Sequence, residues 1–283
     1  MLRLAEPHAG VLVNRIVDEE EARELTDRAA RLPQLVLTAR ESADLELIAI
    51  GAASPLAGFM GLRDYRSVLE HLRLTDGTPW PIPFTLSVTI AEMAIALRER
   101  AAALRDERGR LRAVLEVSDA FVRDPREEAR ALYGTVDPAR RAVADLLSRP
   151  AGTLGGRVAV LPGSGACDPL APREVRSTAR SERWVGLRAL AAFDGLGCLE
   201  PVGGAHPTLI PVPRVSVRCS PGRDAFLQAL VLKNFGAQEV LFEYDRVDWQ
   251  AASPHVAPED LGIAPVWILP NHSTRAGGAI LRH

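Results

Sequence analysis

The sequence predicts a β-rich unit followed by a smaller α/β unit. Three observations carry this. The chain has 283 residues, more than one ordinary core accommodates, so two domains are expected. Up to residue 162, apolar stretches are interrupted repeatedly by Gly and Pro, which suits short strands and tight turns. Beyond it, apolar runs alternate with helical patterns, the grammar of a parallel α/β layer. The boundary falls in PGSGACDP (162–169), a stretch of small, Pro- and Gly-rich residues. The domains are therefore expected at 1–162 and 163–283.

Taken in order, residues 16–31 place Asp18, Glu19, Glu20, Glu21, Ala22, Leu25 and Ala29 at helical spacing. A second helix is expected over Tyr65–Leu72. A third is expected over Pro125–Leu132, with Pro125 suited to the first turn. The segments GVLVNRIV (10–17), LELIAIGAASPLAGF (45–59) and PWPIPFTLSV (79–88) read as strands and turns. Residues 90–96 read as helix, followed by a hairpin about Asp106–Arg110 whose turn uses Gly109. In the second unit, Pro172–Arg183 reads as a helix and Leu187–Phe193 as a buried strand. Asp224–Lys233 is a helix closed by Gly236. Glu239–Tyr244 and Ala264–Leu269 read as strands.

Composition limits the function classes. With 47% hydrophobic and 25% charged residues, the chain is of globular type. A net charge of −2 gives no global field favouring nucleic acid or an anionic membrane, so neither partner is expected. No apolar run reaches the roughly 18 residues of a membrane span. The start lacks a basic region followed by an apolar core, so a cytoplasmic protein is expected. Three cysteines, Cys167, Cys198 and Cys219, form no CxxC pair. His255, His272 and His283 have no partner at metal-ligand spacing, so no structural zinc is expected. Of 34 basic residues only Lys233 is a lysine. The arginines are scattered, which fits a GC-rich genome better than an anion-binding surface.

Longer strings resemble the ATP sulfurylase (sulfate adenylyltransferase) family. They are PHAGVLVNR (7–15), LELIAIGAASPLAGFMGLRDYRSVL (45–69), LRLTDGTPWPIPFTLSV (72–88), RDPREEARALYGTVDP (123–138) and GGRVAVL (155–161). The most specific is SPLAGFM at Ser54–Met60. This resemblance implies a PUA-like β domain at the amino terminus. The second half resembles the family's Rossmann-like nucleotidyltransferase α/β domain in pieces: LAPREVR (170–176), PGRDAFLQALVLKNFG (221–236) and LGIAPVWILPNHSTRAGG (261–278). It is shorter than that domain. The chemistry implied is transfer of AMP from MgATP to sulfate, which requires arginine, histidine and helix amides to offset two polyanions.

The departures are specific. Where the family carries QTRNPxHxxH, this chain reads Asp194-Gly195-Leu196-Gly197-Cys198-Leu199-Glu200. The phosphate-facing side chains are gone, and two carboxylates near a triphosphate repel it by several kcal/mol in a low-dielectric cleft. The GRDH position reads Glu243-Tyr244-Asp245-Arg246, and the family's HPGV reads Ala139–Ala142. The expected protein is a divergent member that no longer makes adenylyl sulfate and serves as a binding or accessory protein. The rival is an enzyme with a reshaped anion or nucleotide pocket, using ATP and Mg if family activity is retained.

The residues left to hold a small anionic or nucleotide ligand are Gly222, Arg223 and Asp224 at a helix start that Ser220 can cap. Lys233 and Asn234 stand at its end, where a cation also suits the helix dipole. Asp245 and Arg246 follow a strand at the sheet's carboxyl edge, where α/β sites form, and an ion pair between them is the plain alternative. His206 lies in the Gly-rich GGAHP stretch. Cys198 as a nucleophile would need a base, and only His206 is near in sequence. Because the family forms oligomers and the α/β domain is shortened, a homodimer is expected.

Overall fold

The computed structural model describes residues 4–163, 171–178, 183–187, 197–202, 210–212, 221–243, 258–262 and 264–268. The amino-terminal unit is built on a sheet ordered β1 (Gln34–Val36), β4 (Ala101–Arg105), β5 (Leu111–Val122), β6 (Gly152–Val160), β2 (Gly58–Phe59), with β3 (Leu86–Val88) also on β6. Only the β1–β4 pairing is parallel. The long β5–β6 ribbon shifts register between Val117 and Asp119. Its neighbours approach so closely that a Cβ on Gly156 would stand 1.9 Å from the Glu116 carbonyl oxygen. Glycine is therefore required there.

Helix starts follow the capping chemistry of the sequence. Asp18 accepts from the backbone N–H groups of Glu20 and Glu21 and opens α1 (Glu19–Ala29). Reciprocal capping boxes open α2 (Ala39–Ala49) through Thr38 and Glu41, and α4 (Ile90–Glu99) through Thr89 and Glu92. Asp124 caps α5 (Pro125–Tyr133), which ends on Gly134 in the left-handed conformation. Between α2 and α5 lies α3 (Leu62–His71), and α6 (Arg141–Ser148) follows α5. One charged network is buried among them. Arg123 pairs with Glu128 at 2.8 Å, both side chains 1% exposed. Arg123 also donates to the Leu146, Arg149 and Pro150 carbonyls, and Tyr65 Oη donates to Glu128. Burial, reinforced by the Glu128 carboxylate, pushes the Tyr65 hydroxyl far above its ordinary range, so it remains a donor.

The second unit holds α7 (Pro172–Thr178), α8 (Pro221–Phe235) and a sheet ordered β11 (Ala264–Ile268), β10 (Glu239–Glu243), β7 (Arg183–Leu187), β8 (Gly197–Val202), β9 (Ile210–Val212). β11, β10 and β7 run parallel. β8 and β9 are antiparallel additions. Gly236 follows α8 at φ 107. The helix is buried on every side from Gly222 to Leu232, although it carries Arg223, Asp224 and Gln228 along with its apolar residues. Phe226, Leu230 and Phe235 belong to the same core as Trp80, Ile82 and Phe84 of the first unit. α8 is thus the element that packs the two units together.

Several expectations need correction. Residues 45–49, read as strand, complete α2, and only Gly58–Phe59 of that stretch is extended sheet. Residues 10–17 form no strand, only an isolated bridge from Ile16 to Val160. Of 79–88, the sheet takes Leu86–Val88 alone, because Pro79, Pro81 and Pro83 lack ladder donors. The described strand there is Arg183–Leu187, which meets the expected Leu187–Phe193 only at Leu187; residues 188–193 lie outside the described residues. Gly197–Val202, for which no strand was expected, forms β8 antiparallel to β7, so the layer is mixed rather than parallel. The helix expected over Pro172–Arg183 is described as Pro172–Thr178, and its last residue, Arg183, instead opens β7; residues 179–182 and 164–170 lie outside the described residues. So do Phe193, Asp194, Ser220 and Tyr244.

Candidate functional site

The first turn of α8 begins at Pro221, a residue without the backbone N–H that a first helical turn leaves unpaired. Gly222, Arg223 and Asp224 follow, all buried, with Arg223 7% and Asp224 6% exposed. Arg223 Nη1 donates to the Pro81 carbonyl at 3.0 Å. The guanidinium therefore faces the Pro-rich 79–84 segment of the first unit. A positive guanidinium and an acidic side chain share this turn, so its net field toward an anion is modest.

The other end of α8 is a set of satisfied hydrogen bonds. Asn234, fully buried, accepts from the His8 backbone N–H at 2.8 Å and donates to the Ala52 and Ser54 carbonyls at 2.9 and 3.1 Å. Its amide capacity is spent inside the protein. Lys233 Nζ donates to the Leu261 carbonyl at 2.6 Å, and burial holds its ammonium below the usual lysine range. Arg176 of α7 donates to the Asn234 carbonyl at 2.8 Å and the Lys233 carbonyl at 3.3 Å, and also to Ala5. A cation on the last carbonyls of a helix offsets its dipole. Burial lowers Arg176 as well.

His8 completes this joint. The residue is 2% exposed, Nε2 lies 2.8 Å from the Pro79 carbonyl, and Nδ1 has no hydrogen-bond partner among the described residues. The Nε2–H tautomer is required, since a carbonyl only accepts. Burial drives the imidazole down to about 4, against the opposing pull of the Pro79 carbonyl. It is neutral at ordinary pH.

The expected site residues do not form one cluster. Arg223 and Lys233 are ten residues apart on α8, about 15 Å along its axis. Gly222, Arg223 and Asp224 share one turn, while Lys233 and Asn234 serve the opposite end. Asp245, Arg246 and His206 lie outside the described residues. Cys198 stands in β8, paired in register with Leu187 and Pro211. Among the described residues, no group of three His, Cys, Asp or Glu side chains is placed to hold a metal ion. No helix among them is long and apolar enough to cross a membrane. Sequence reasoning missed His8 and Arg176, which meet α8 through backbone groups. Their strings, PHAGVLVNR and LAPREVR, were visible; their spatial partner was not.

The described strand that precedes the position of the family's phosphate-binding string is β7, Arg183–Leu187. The next described element, β8, returns antiparallel beside it. Between and through these elements, residues 188–202 contain no histidine and one basic residue, Arg188, with Asp194 and Glu200 as acids.

Comparison with known proteins fits this architecture. A profile of the PUA-like domain matches residues 5–163. A sulfate adenylyltransferase of Symbiobacterium thermophilum is 34% identical over 329 residues, covering 97% of this chain and 84% of the relative. A sulfate adenylyltransferase of Chloroflexus aurantiacus is 33% identical over 314 residues, covering 92% of this chain and 80% of the relative. The first alignment is longer than the 283-residue chain itself, so dozens of the relative's positions have no counterpart here. Among solved structures, a hexameric APS kinase from Thiobacillus denitrificans superposes with a TM-score of 0.63 at 23% identity, over 94% of this chain but only 57% of that one. That likeness concerns fold alone. Identity above three tenths, sustained over both units and most of each relative, makes this chain a member of the sulfate adenylyltransferase family.

Proposed function

We propose that this chain no longer adenylylates sulfate and acts in the cytoplasm as a binding or accessory protein of sulfur or nucleotide metabolism. The observation that carries this is the stretch from β7 to β8. In an open α/β layer, anions are held where the segment after a strand enters a helix, because free amides and the dipole point at them. Here the next described element is an antiparallel strand, and residues 188–202 supply one arginine against two acids. Loss of one preorganised contact to a developing charge costs about 10²- to 10³-fold in rate, and here the loss is of a whole set. The Arg223–Pro81 bond favours a packing role for that arginine over a ligand contact.

The test is a thermal-shift screen of the intact chain with MgATP, adenylyl sulfate, phosphoadenylyl sulfate, sulfate and pyrophosphate, run beside a pyrophosphate-release assay. The reading expects stabilisation by at least one nucleotide or anion and release equal to the no-enzyme background. Turnover near one per second would refute it. A flat screen together with background release would remove the binding role.

A further inference from the structure

A cleft of about 250 Å³ opens between α1 and the β5–β6 ribbon, and its lining comes from the first unit alone. Its floor is apolar. Leu25 and Val114 are buried there, and Ala159 stands opposite Val114 in the β5–β6 register. Leu25 and Ala29 also pack with Ala103 and Val114, so the helix wall is seated on the sheet before any ligand arrives. Charged side chains form the rim. Glu21, Glu24 and Arg28 come from α1, at i, i+3 and i+7 of one helix face, while Arg15 and Glu116 come from the sheet side.

These charges do not satisfy one another. Glu24 and Arg28 have the i, i+4 spacing at which helix neighbours pair. Yet among the described residues no hydrogen bond or ion pair involves the side chains of Glu21, Glu24, Arg28 or Glu116. Arg15 is held differently. Its backbone N–H donates to the Ala49 carbonyl, its carbonyl accepts from Val160, and its Nε donates to the Val158 carbonyl at 2.7 Å. That fixes the guanidinium and leaves both Nη groups as donors for a carboxylate. The cleft thus sets cationic and anionic receptors around one apolar floor. Its volume falls below the roughly 300–1,000 Å³ of sites for drug-sized ligands, so its ligand is small. A phosphate ester would be repelled by three carboxylates, and a plain amine would leave both arginines unanswered. A small zwitterion answers every group. We propose that this cleft binds a free α-amino acid with a short apolar side chain. Arg15 and Arg28 hold its carboxylate, Glu21, Glu24 and Glu116 surround its ammonium, and its side chain lies on Leu25, Val114 and Ala159.

Isothermal titration calorimetry of the full chain with L-valine, up to about 10 millimolar, tests this. Saturable binding is expected, with a Kd between about 10 micromolar and about 1 millimolar. Isobutylamine and isovalerate carry the same apolar group with only one of the two charges, and each is expected to bind at least about tenfold more weakly. Arg28→Gln and Glu116→Gln each remove one charged contact and are expected to weaken valine binding by about tenfold or more. Both residues are exposed, so melting without valine is expected to stay within about 2 °C of the wild-type value. The analogues require no substitution, so they decide the matter even where a variant loses stability. No heat of binding at the top concentration overturns the proposal. So does a one-charge analogue that binds as tightly as valine, or unchanged affinity in either variant.

Discussion

Replacing Asn234 by alanine tests the joint that holds α8 to the first unit. The wild-type side chain is fully buried and makes three hydrogen bonds, accepting from His8 and donating to Ala52 and Ser54. Alanine removes all three and leaves one N–H and two carbonyls without partners. Each buried group left unsatisfied costs about 1–3 kcal/mol, and the vacated volume adds to this. Carbonyls tolerate the loss better than N–H groups, and a water entering the space recovers part of it. The expected destabilisation is about 3 kcal/mol, a large fraction of the roughly 5–15 kcal/mol a domain possesses. Asn234→Asp is expected to be worse, because an ionised carboxylate would face two carbonyl oxygens with nothing to donate. Urea denaturation followed by circular dichroism measures both. A loss under about 1 kcal/mol for alanine, or an aspartate variant no worse than alanine, would show that the joint carries no such energy.

Three further outcomes are expected. His8 is held neutral by burial, its folded value of about 4 lying below the ordinary 6.5. Its contribution is therefore complete above pH 6.5 and is lost as pH falls toward 4, reaching about 3 kcal/mol; the stability difference from His8→Gln should narrow across that window, and a difference independent of pH would count against it. Glu128→Ala strands the Arg123 guanidinium in the core, with an expected loss of about 3–5 kcal/mol, measurable by the same denaturation. Gly156→Ala forces a methyl onto the Glu116 carbonyl and should break the β5–β6 pairing, seen as loss of amide protection in those strands; unchanged exchange would contradict the close approach.

Local chemistry was the legible part of this fold. Asp18 and Pro125 announced helix starts, and Asp106–Arg110 announced a hairpin whose turn places Gly109 at φ 78. The same logic, applied to Thr38 and Glu41, would have found α2, but the apolar run LELIAI drew a strand reading instead. An apolar run alone does not distinguish a buried helix from a buried strand. The candidate site was less legible, for a physical reason. Arg223, Lys233 and Asn234 meet backbone carbonyls of Pro81, Leu261, Ala52 and Ser54. A carbonyl carries no residue-type signature, and the Asn234 contacts span 180 positions or more, so no spacing rule reveals them.

The central claim, that the family's adenylyl transfer is gone, is tested most sensitively in reverse. Adenylyl sulfate and pyrophosphate with magnesium would yield ATP and sulfate if the site survived, and ATP is detectable at trace level by luminescence. The absence of a phosphate-binding helix start among residues 197–202 and the acids at 194 and 200 predict ATP formation equal to the no-enzyme background at saturating substrates. ATP formation proportional to protein concentration, and abolished by heating the sample, would contradict the claim directly.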